Sequence, residues 1–518
     1  MSEVKKLVMK APTKSCEFDP IPTWLLKLCI EDLLPLITHI TNLSFQLAIM
    51  PDEYKLAILM PLLKKSGLPL ILENYRPVSN LSFVSKIIER GVVFQLVDHM
   101  VGDELYDKFQ SAYTQGRGTE TALLRVQNDI LMAMDRQEVT ILVMLDLSAA
   151  FDTVNHTVLL ERLEKRCGVT DKALQWIKSY LTDRQQVVKI DNCKSETSSV
   201  TCGVPQGSVL GPYLYNINSL PVGDIISSHG LSYQIYADDK QNYISFKPQD
   251  VGSNLQRIRN CIMDLRSWFH DNFGKLNDSK TLFTIFGTPQ QLAKLQPVQL
   301  EIGDCIVSLS KEVKNLGVIM DQNLNYKSHV TAVSKSAYYQ LYNIQKVSRN
   351  LTEEAAATAI HAFVSSKLDY ANSLLYGLPN RVLYGLQKIQ NSAARTLTGV
   401  RRRDHITPVL MRLHWLPIRR RIHYKMLTLM FKVHNGTAPS YLSELVELYV
   451  PLRHLRSRSD QNQYVIKKAR NKFSGSRAFE IAGPLLWNSL PSNIRSITSI
   501  HSFKKAIKHY LFTEEYTR

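Results

Sequence analysis

Three acids stand where apolar segments end. Asp146 follows the run Thr140-Ile-Leu-Val-Met-Leu145, and Asp238 and Asp239 follow the alternating segment 231–236. Adjacent acids beside apolar strands repel each other, and burial disfavours their ionisation. A divalent cation removes both objections, because Mg²⁺ takes a few hard oxygens together with substrate phosphates. Two such ions, roughly 4 Å apart, stabilise the attacking and leaving oxygens of phosphoryl transfer. Taken alone, Asp-Asp more often marks a solvated turn. The chemistry requires the strand before Asp146 to lie in one sheet with the hairpin that carries the pair. Between them runs Cys202-Gly-Val-Pro-Gln-Gly-Ser-Val-Leu-Gly-Pro212. Its glycines let the backbone approach a ligand, and the apolar helix after it offers an N-terminus to anions. By itself such a loop usually only turns the chain.

The elements that must position these residues follow from periodicity. The run 140–145 is too short for a helix and apolar on both faces, which predicts a central buried strand. Segments 231–236 and 241–246 predict a hairpin with Ala237-Asp238-Asp239-Lys240 at its tip. Upstream, the pattern is helical over 19–50, broken by Pro35, then extended over 56–63 and through Tyr75-Arg76-Pro77, then helical over 82–99 and 119–135. After Asp146 two helices follow, then short strands around 185–202. A helix over 250–272 and strands near 281–286 and 315–320 precede a long helical stretch from Lys327 to Leu397. A further helix begins at Pro417, burying Ile422, Met426, Leu429, Met430 and Val433, with Arg421, Lys425 and Lys432 as a separate stripe.

The chain has 518 residues, 44% of them hydrophobic, enough for a globular core of about three domains. No apolar run approaches the ~18 residues that span a bilayer, and the N-terminus lacks the apolar core of a secretory signal. An intracellular protein of the nucleus and/or cytoplasm is expected, neither secreted nor membrane-bound. The seven cysteines contain no CxxC, which excludes a zinc knuckle and predicts reduced, mostly buried thiols. Net charge is +17, from 63 basic and 46 acidic residues. Residues 401–518 hold 22 basic and 7 acidic residues, so +15 of it resides there. Binding of a polyanion by that region is the natural expectation. Deleting it should weaken and desensitise that binding to salt while leaving the acids intact.

Three segments, in order, resemble motifs A, B and C of reverse transcriptases: VMLDLSAAFDTVNH (143–156), CGVPQGSVLGP (202–212) and YADD (236–239). NYRPVSNLSFVSKIIER (74–90), QSAYTQGRGTETALL (110–124), KLNDSKT (275–281) and KNLGVIMD (314–321) are similar to the finger, D and E regions of LINE-type (non-LTR) retrotransposon enzymes. The flanks CEFDPIPTWLLK (16–27), LHWLPIRRRIHYK (413–425) and PLLWNSLP (484–491) resemble the jockey-like lineage.

The resemblance implies an α+β right-hand polymerase. Fingers and a palm with an antiparallel sheet would occupy 1–325, a helical thumb 326–400, and a basic, mainly helical nucleic-acid-binding region 401–518. It implies RNA-directed DNA polymerase activity with an RNA template, a DNA primer and dNTPs. Asp146, Asp238 and Asp239, with the carbonyl of Leu147, would hold two Mg²⁺ ions, with Mn²⁺ as a substitute. Phe151 would exclude a ribose 2′-hydroxyl by clash. Gln206 would approach the nucleotide or template, Lys64 and Arg76 the triphosphate, and Lys280 the leaving pyrophosphate. Tyr236 would pack under the primer end, and Arg117 would contact a nucleic-acid backbone. Asp152 also reads as a helix N-cap before Thr153-Val154.

Several positions depart from the family pattern. Lys240 and Asn242 replace the usual Thr and apolar residue, and Gly274 a larger apolar one. Lys240 beside the acids would pair with a carboxylate and compete with Mg²⁺. No nuclease-like segment precedes the polymerase-like part, so the reading is of an enzyme lacking its N-terminal endonuclease. Two rivals follow: a catalytically weak relic that still binds RNA or DNA, and an unrelated metal-dependent phosphohydrolase. The phosphohydrolase would have no use for Phe151, the 202–212 loop or the basic region.

Overall fold

The apolar run before Asp146 forms Val139–Leu145, an inner strand of a four-stranded antiparallel sheet. The order is Leu282–Phe286, Val139–Leu145, Asp239–Phe246, Ser232–Tyr236. The computed structural model describes every residue except 297, 303, 304, 451–461, 472, 517 and 518. Strand pleating explains why Val139–Leu145 is apolar throughout. Ile141, Val143 and Leu145 enter one core and Leu142 the other, so neither face meets water.

A second sheet, begun upstream in sequence, joins strands from both sides of that run. Tyr75–Asn80 pairs antiparallel with Leu56–Leu63, which runs parallel to Arg184–Ile190, and Ser198–Val200 pairs with the start of Arg184–Ile190. A hairpin of Glu312–Asn315 and Val318–Asp321 leads into the helices Lys327–Val347 and Asn380–Thr398. The whole is a mixed α/β core followed by a mainly helical C-terminal region. Among the described residues no helix is long and apolar enough to cross a membrane.

Two local expectations change. The first helical stretch divides at Cys29, between Thr23–Leu28 and Ile30–Leu47, and Pro35 sits inside the second helix. Only one early backbone bond is lost there, to the carbonyl of exposed Glu31, where water can replace it. Among the described thiols, Cys16, Cys167 and Cys261 are buried, but Cys29, Cys193 and Cys202 are exposed.

The larger change concerns residues 401–518, which are no detachable appendage. Ile418–His434 buries Ile422, Met426, Met430 and Phe431 against Ile500–Tyr516, Phe479–Asn488 and Asn380–Thr398. These side chains share one core with Leu123, Val126 and Ile130 of the helix Thr119–Asp135. Polar contacts cross the same boundary. The Asp135 carboxylate accepts from the Arg470 and Asn471 amides at 2.9 and 2.6 Å, and Arg477 donates to the Leu324 carbonyl at 2.9 Å. The supposed basic stripe faces inward as well. Arg421 pairs with Asp369 and Lys425 with Glu120, because the helix face they occupy abuts acidic neighbours rather than solvent.

Candidate active site

The sheet register answers the question left by sequence. Leu145 pairs with Lys240 and Tyr236 with Asp239, so Asp146, one residue past Leu145, comes out beside Asp239. Asp146 is held by its carbonyl, which accepts from the Asn277 amide at 2.9 Å, and Leu147–Ser148 continues as a short ladder with Lys275–Leu276. Leu147 is buried in that ladder. Lys280, from the next turn, places Nζ 3.1 Å from Asp146 Oδ2. Burial, then the charges of Asp238 and Asp146, push the Asp239 carboxyl up to about 6. The three acids therefore form one electrostatic unit.

Hard oxygens on adjoining strand ends, with the Asp239 carboxyl raised by burial and by its two acidic neighbours, are the donor chemistry of a Mg²⁺ site. They fit such an ion chemically. Among the described residues no three acidic, histidine or cysteine side chains converge as a metal cage.

The 202–212 loop is wedged between this site and the upstream sheet. The Val204 amide donates to the Phe151 carbonyl at 2.8 Å, and the Ser79 amide to the Gln206 carbonyl at 2.7 Å. Two glycines make the fit possible. A Cβ on Gly203 (φ +84°) would lie 2.7 Å from the Asp152 carbonyl oxygen, and one on Gly207 (φ +122°) 2.5 Å from that of Ser79. Phe151 is half-buried and stacks on buried Tyr215, with ring centroids 4.6 Å apart. The Gln206 side-chain amide donates to both carboxylate oxygens of Asp152 at 2.9 Å.

Several roles expected from sequence move. Asp152 is no helix cap, since the helix starts at His156 and Asn155 caps it by accepting from the Val158 amide at 3.1 Å. The N-terminus after the 202–212 loop is not open to anions. The buried Glu89 carboxylate already accepts from the Val209 and Leu210 amides at 2.7 and 2.9 Å. Glu89 escaped sequence reasoning, although a lone acid beside Ile87 and Ile88 on a buried helix face was its signal. Arg117 is structural: its guanidinium donates to the carbonyls of Asp107, Lys108 and Gln110.

Lys240 makes no ion pair with a carboxylate among the described residues. Strand alternation turns it into the core, where Nζ lies 3.3 Å from the Tyr215 hydroxyl, over the Tyr215 and Phe269 rings, and 3.4 Å from the Asp238 carbonyl, within the field of the three acids. Asn242, two residues on, is 1% exposed, and both ends of its amide lack a hydrogen-bond partner among the described residues. Each buried unmet group costs about 1–3 kcal/mol. Asn242→Leu should therefore raise stability to chemical unfolding by about 2 kcal/mol. An unchanged or lower urea midpoint would mean that the amide has a partner.

On the upstream sheet, Leu62 pairs with Arg76, so Lys64 and Arg76 project from one face of the hairpin, both exposed. The Tyr113 hydroxyl, raised by burial and then by the charge of Asp238, is lowered by the charge of Arg76, so both charged groups lie near that ring. The Lys64 ammonium donates to the Glu73 carbonyl at 2.6 Å. Tyr236 is half-buried directly before the acidic turn.

A sequence-family model described as reverse transcriptase (RNA-dependent DNA polymerase) matches residues 62–320. The chain belongs to the reverse transcriptase family. Within it, the chain is of the non-LTR retrotransposon type, related to the jockey, BS and X-element lineages. The probable RNA-directed DNA polymerase from transposon BS of Drosophila melanogaster is 26% identical over 367 residues, 69% of this chain and 40% of that protein. The RNA-directed DNA polymerase from mobile element jockey of Drosophila funebris is 27% identical over 409 residues, 77% and 44% of the two chains. The corresponding protein of the Drosophila melanogaster X-element is 28% identical over 402 residues, 76% and 43%. The chain thus spans about two fifths of the length of these relatives.

Proposed function

We propose that this chain extends a DNA primer with dNTPs along an RNA template. The observation that carries this reading is the register that sets Asp146 beside the Asp238-Asp239 turn. Asp146, Asp238, Asp239 and the Leu147 carbonyl hold two Mg²⁺ ions, or Mn²⁺ in their place, which supply activation of the primer 3′-hydroxyl and charge stabilisation at pyrophosphate. Lys280 carries its ammonium beside that chemistry and meets the negative charge of the leaving group. Phe151, backed by Tyr215, presents a fixed ring against which a 2′-hydroxyl would clash. Gln206 presents its amide from a loop fixed on both sides, and Arg76 with Lys64 neutralises the triphosphate. The substrates fit a nuclear or cytoplasmic protein.

RNA is gripped through cations not engaged elsewhere. In 401–518, Arg420, Arg421, Lys425 and Lys467 form ion pairs, and Arg477 and Arg495 are buried. Arg401, Arg402 and Arg403 are exposed just beyond the helix Asn380–Thr398. Replacing all three by alanine should weaken duplex binding and make the log–log salt dependence shallower by about 2–3. An unchanged slope would place the phosphate contacts elsewhere.

Primer extension on an RNA template with Mg²⁺ tests the activity. Incorporation of dNTP supports it. A folded protein that binds RNA but adds nothing supports the second reading, a weakened copy. That reading is favoured by the unmet Asn242 amide beside the acidic turn.

A further inference from the structure

We propose that Gln110 is a positioning residue that holds the acidic turn in shape, braced from behind by Tyr441. The inference rests on the polymerase reading and adds to it a structural role for the C-terminal region in the chemistry.

The turn needs holding. Ala237, between Tyr236 and Asp238, is buried and has φ +57°, a left-handed conformation that a residue with a Cβ disfavours. Its amide donates to Gln110 Oε1 at 3.0 Å, and Gln110 Nε2 lies 3.5 Å from its carbonyl. One side chain thus reaches both polar groups of the strained residue. Gln110 is 3% exposed, and its Oε1 also accepts from the Ala112 amide at 2.9 Å, which fixes the amide's orientation.

The backbone around Gln110 is itself fastened to the sheet. The Ser111 amide donates to the Ile235 carbonyl, and the Ile235 amide to the Phe109 carbonyl, both at 2.9 Å. Segment 109–111 therefore runs as an extra parallel rung beside Ser232–Tyr236. Gln234 Nε2 donates to the Phe109 carbonyl and to Ser111 Oγ at 2.6 and 2.9 Å.

Behind this rung stands Tyr441, fully buried. Its hydroxyl bridges Ser111 Oγ at 2.8 Å and Thr121 Oγ1 at 2.9 Å. Arg117 adds a second brace, donating to the Gln110 carbonyl at 2.6 Å with its guanidinium 5.8 Å from the Tyr441 ring centre. The path from the C-terminal region to the acids is Tyr441, Ser111, Gln110, Ala237, and each link but the peptide bond between Ser111 and Gln110 is a hydrogen bond. Chemistry tolerates misplacement of a reacting group by an ångström poorly, so loosening this turn affects turnover more than substrate affinity.

The test uses the full chain. Gln110→Met keeps length and removes both polar ends. Its kcat for dNTP incorporation should fall 10- to 100-fold, with KM for dNTP and Kd for an RNA–DNA duplex within twofold of wild type. Hydrogen exchange of the Ala237 amide should quicken at least tenfold. Adding Ala237→Gly should recover at least tenfold in kcat, because glycine adopts this conformation without a Cβ penalty. Tyr441→Phe should lower kcat a few-fold in the same pattern. Wild-type kcat and unchanged exchange in Gln110→Met would overturn the inference. So would a parallel loss of kcat, duplex affinity and melting temperature without recovery by Ala237→Gly, which marks a merely structural residue. A wild-type chain that adds no dNTP would overturn the polymerase reading instead, and the Ala237 exchange rate would still report on the clamp.

Discussion

Replacing Asp238 by alanine should cut dNTP incorporation on an RNA template by on the order of 10³-fold while leaving the fold intact or firmer. The two halves of this expectation have one cause. In the proposed reading Asp238 contributes oxygens where charge must be neutralised during transfer, and after burial its charge helps push the Asp239 carboxyl up to about 6. Like charges held together at adjoining strand ends destabilise the folded chain. Removing one relieves that repulsion, so the melting temperature should hold or rise as activity vanishes. Asp238→Asn should behave similarly, since it also removes the charge. A variant that keeps a tenth of wild-type incorporation would show that Asp238 is no ligand. One that loses activity and melting temperature together would show a structural role instead.

A chain ending at residue 400 should not fold into a working polymerase, although it keeps every candidate catalytic acid. Truncation strips Ile422, Met426, Met430, Trp487 and Phe503 from a core they share with the helix Thr119–Asp135. Losing one large buried side chain costs about 2–5 kcal/mol, and a domain is stable by only about 5–15 kcal/mol. Several such losses exceed the total. The cut also takes the Arg470 and Asn471 amides from Asp135, Lys425 from Glu120 and Arg421 from Asp369, and leaves Ser111 without the Tyr441 hydroxyl. The expected product is insoluble, or soluble without near-ultraviolet dichroism and without a cooperative melt. A soluble, cooperatively melting 1–400 that extends primers would contradict the shared core. The basic C-terminal region therefore has to be probed by point substitutions such as those at Arg401–Arg403, because deletion confounds binding with folding.

Elements whose pattern is local were legible from the chain. The run before Asp146 could only be a buried strand, as its length excludes a helix and both faces are apolar. The alternation on either side of Asp238-Asp239 specified a hairpin, and the glycines of the 202–212 loop marked where backbones come close. Side chains whose surroundings are supplied by distant segments were not legible. Lys240 looked like a competitor for the acids, but the pleat turns it into an aromatic core. Arg421 and Lys425 looked like a solvent stripe, but Asp369 and Glu120 close over them. Arg117 looked free to meet nucleic acid and is instead occupied by three carbonyls.

The amino-acid sequence by itself determined that three carboxylates would end apolar strands, that a tight glycine loop would lie between them, and that charge would concentrate after residue 400. Residue type and short-range periodicity suffice for that. Only the tertiary structure decided that Asp146 comes out beside the Asp238-Asp239 turn, because adjacency depends on which strands pair and in what register, and Leu145 opposite Lys240 is a long-range choice. It likewise decided that the basic region is part of the core and that a glutamine 127 residues upstream grips the acidic turn. Burial is a property of the assembled chain, and no window of neighbouring residues contains it.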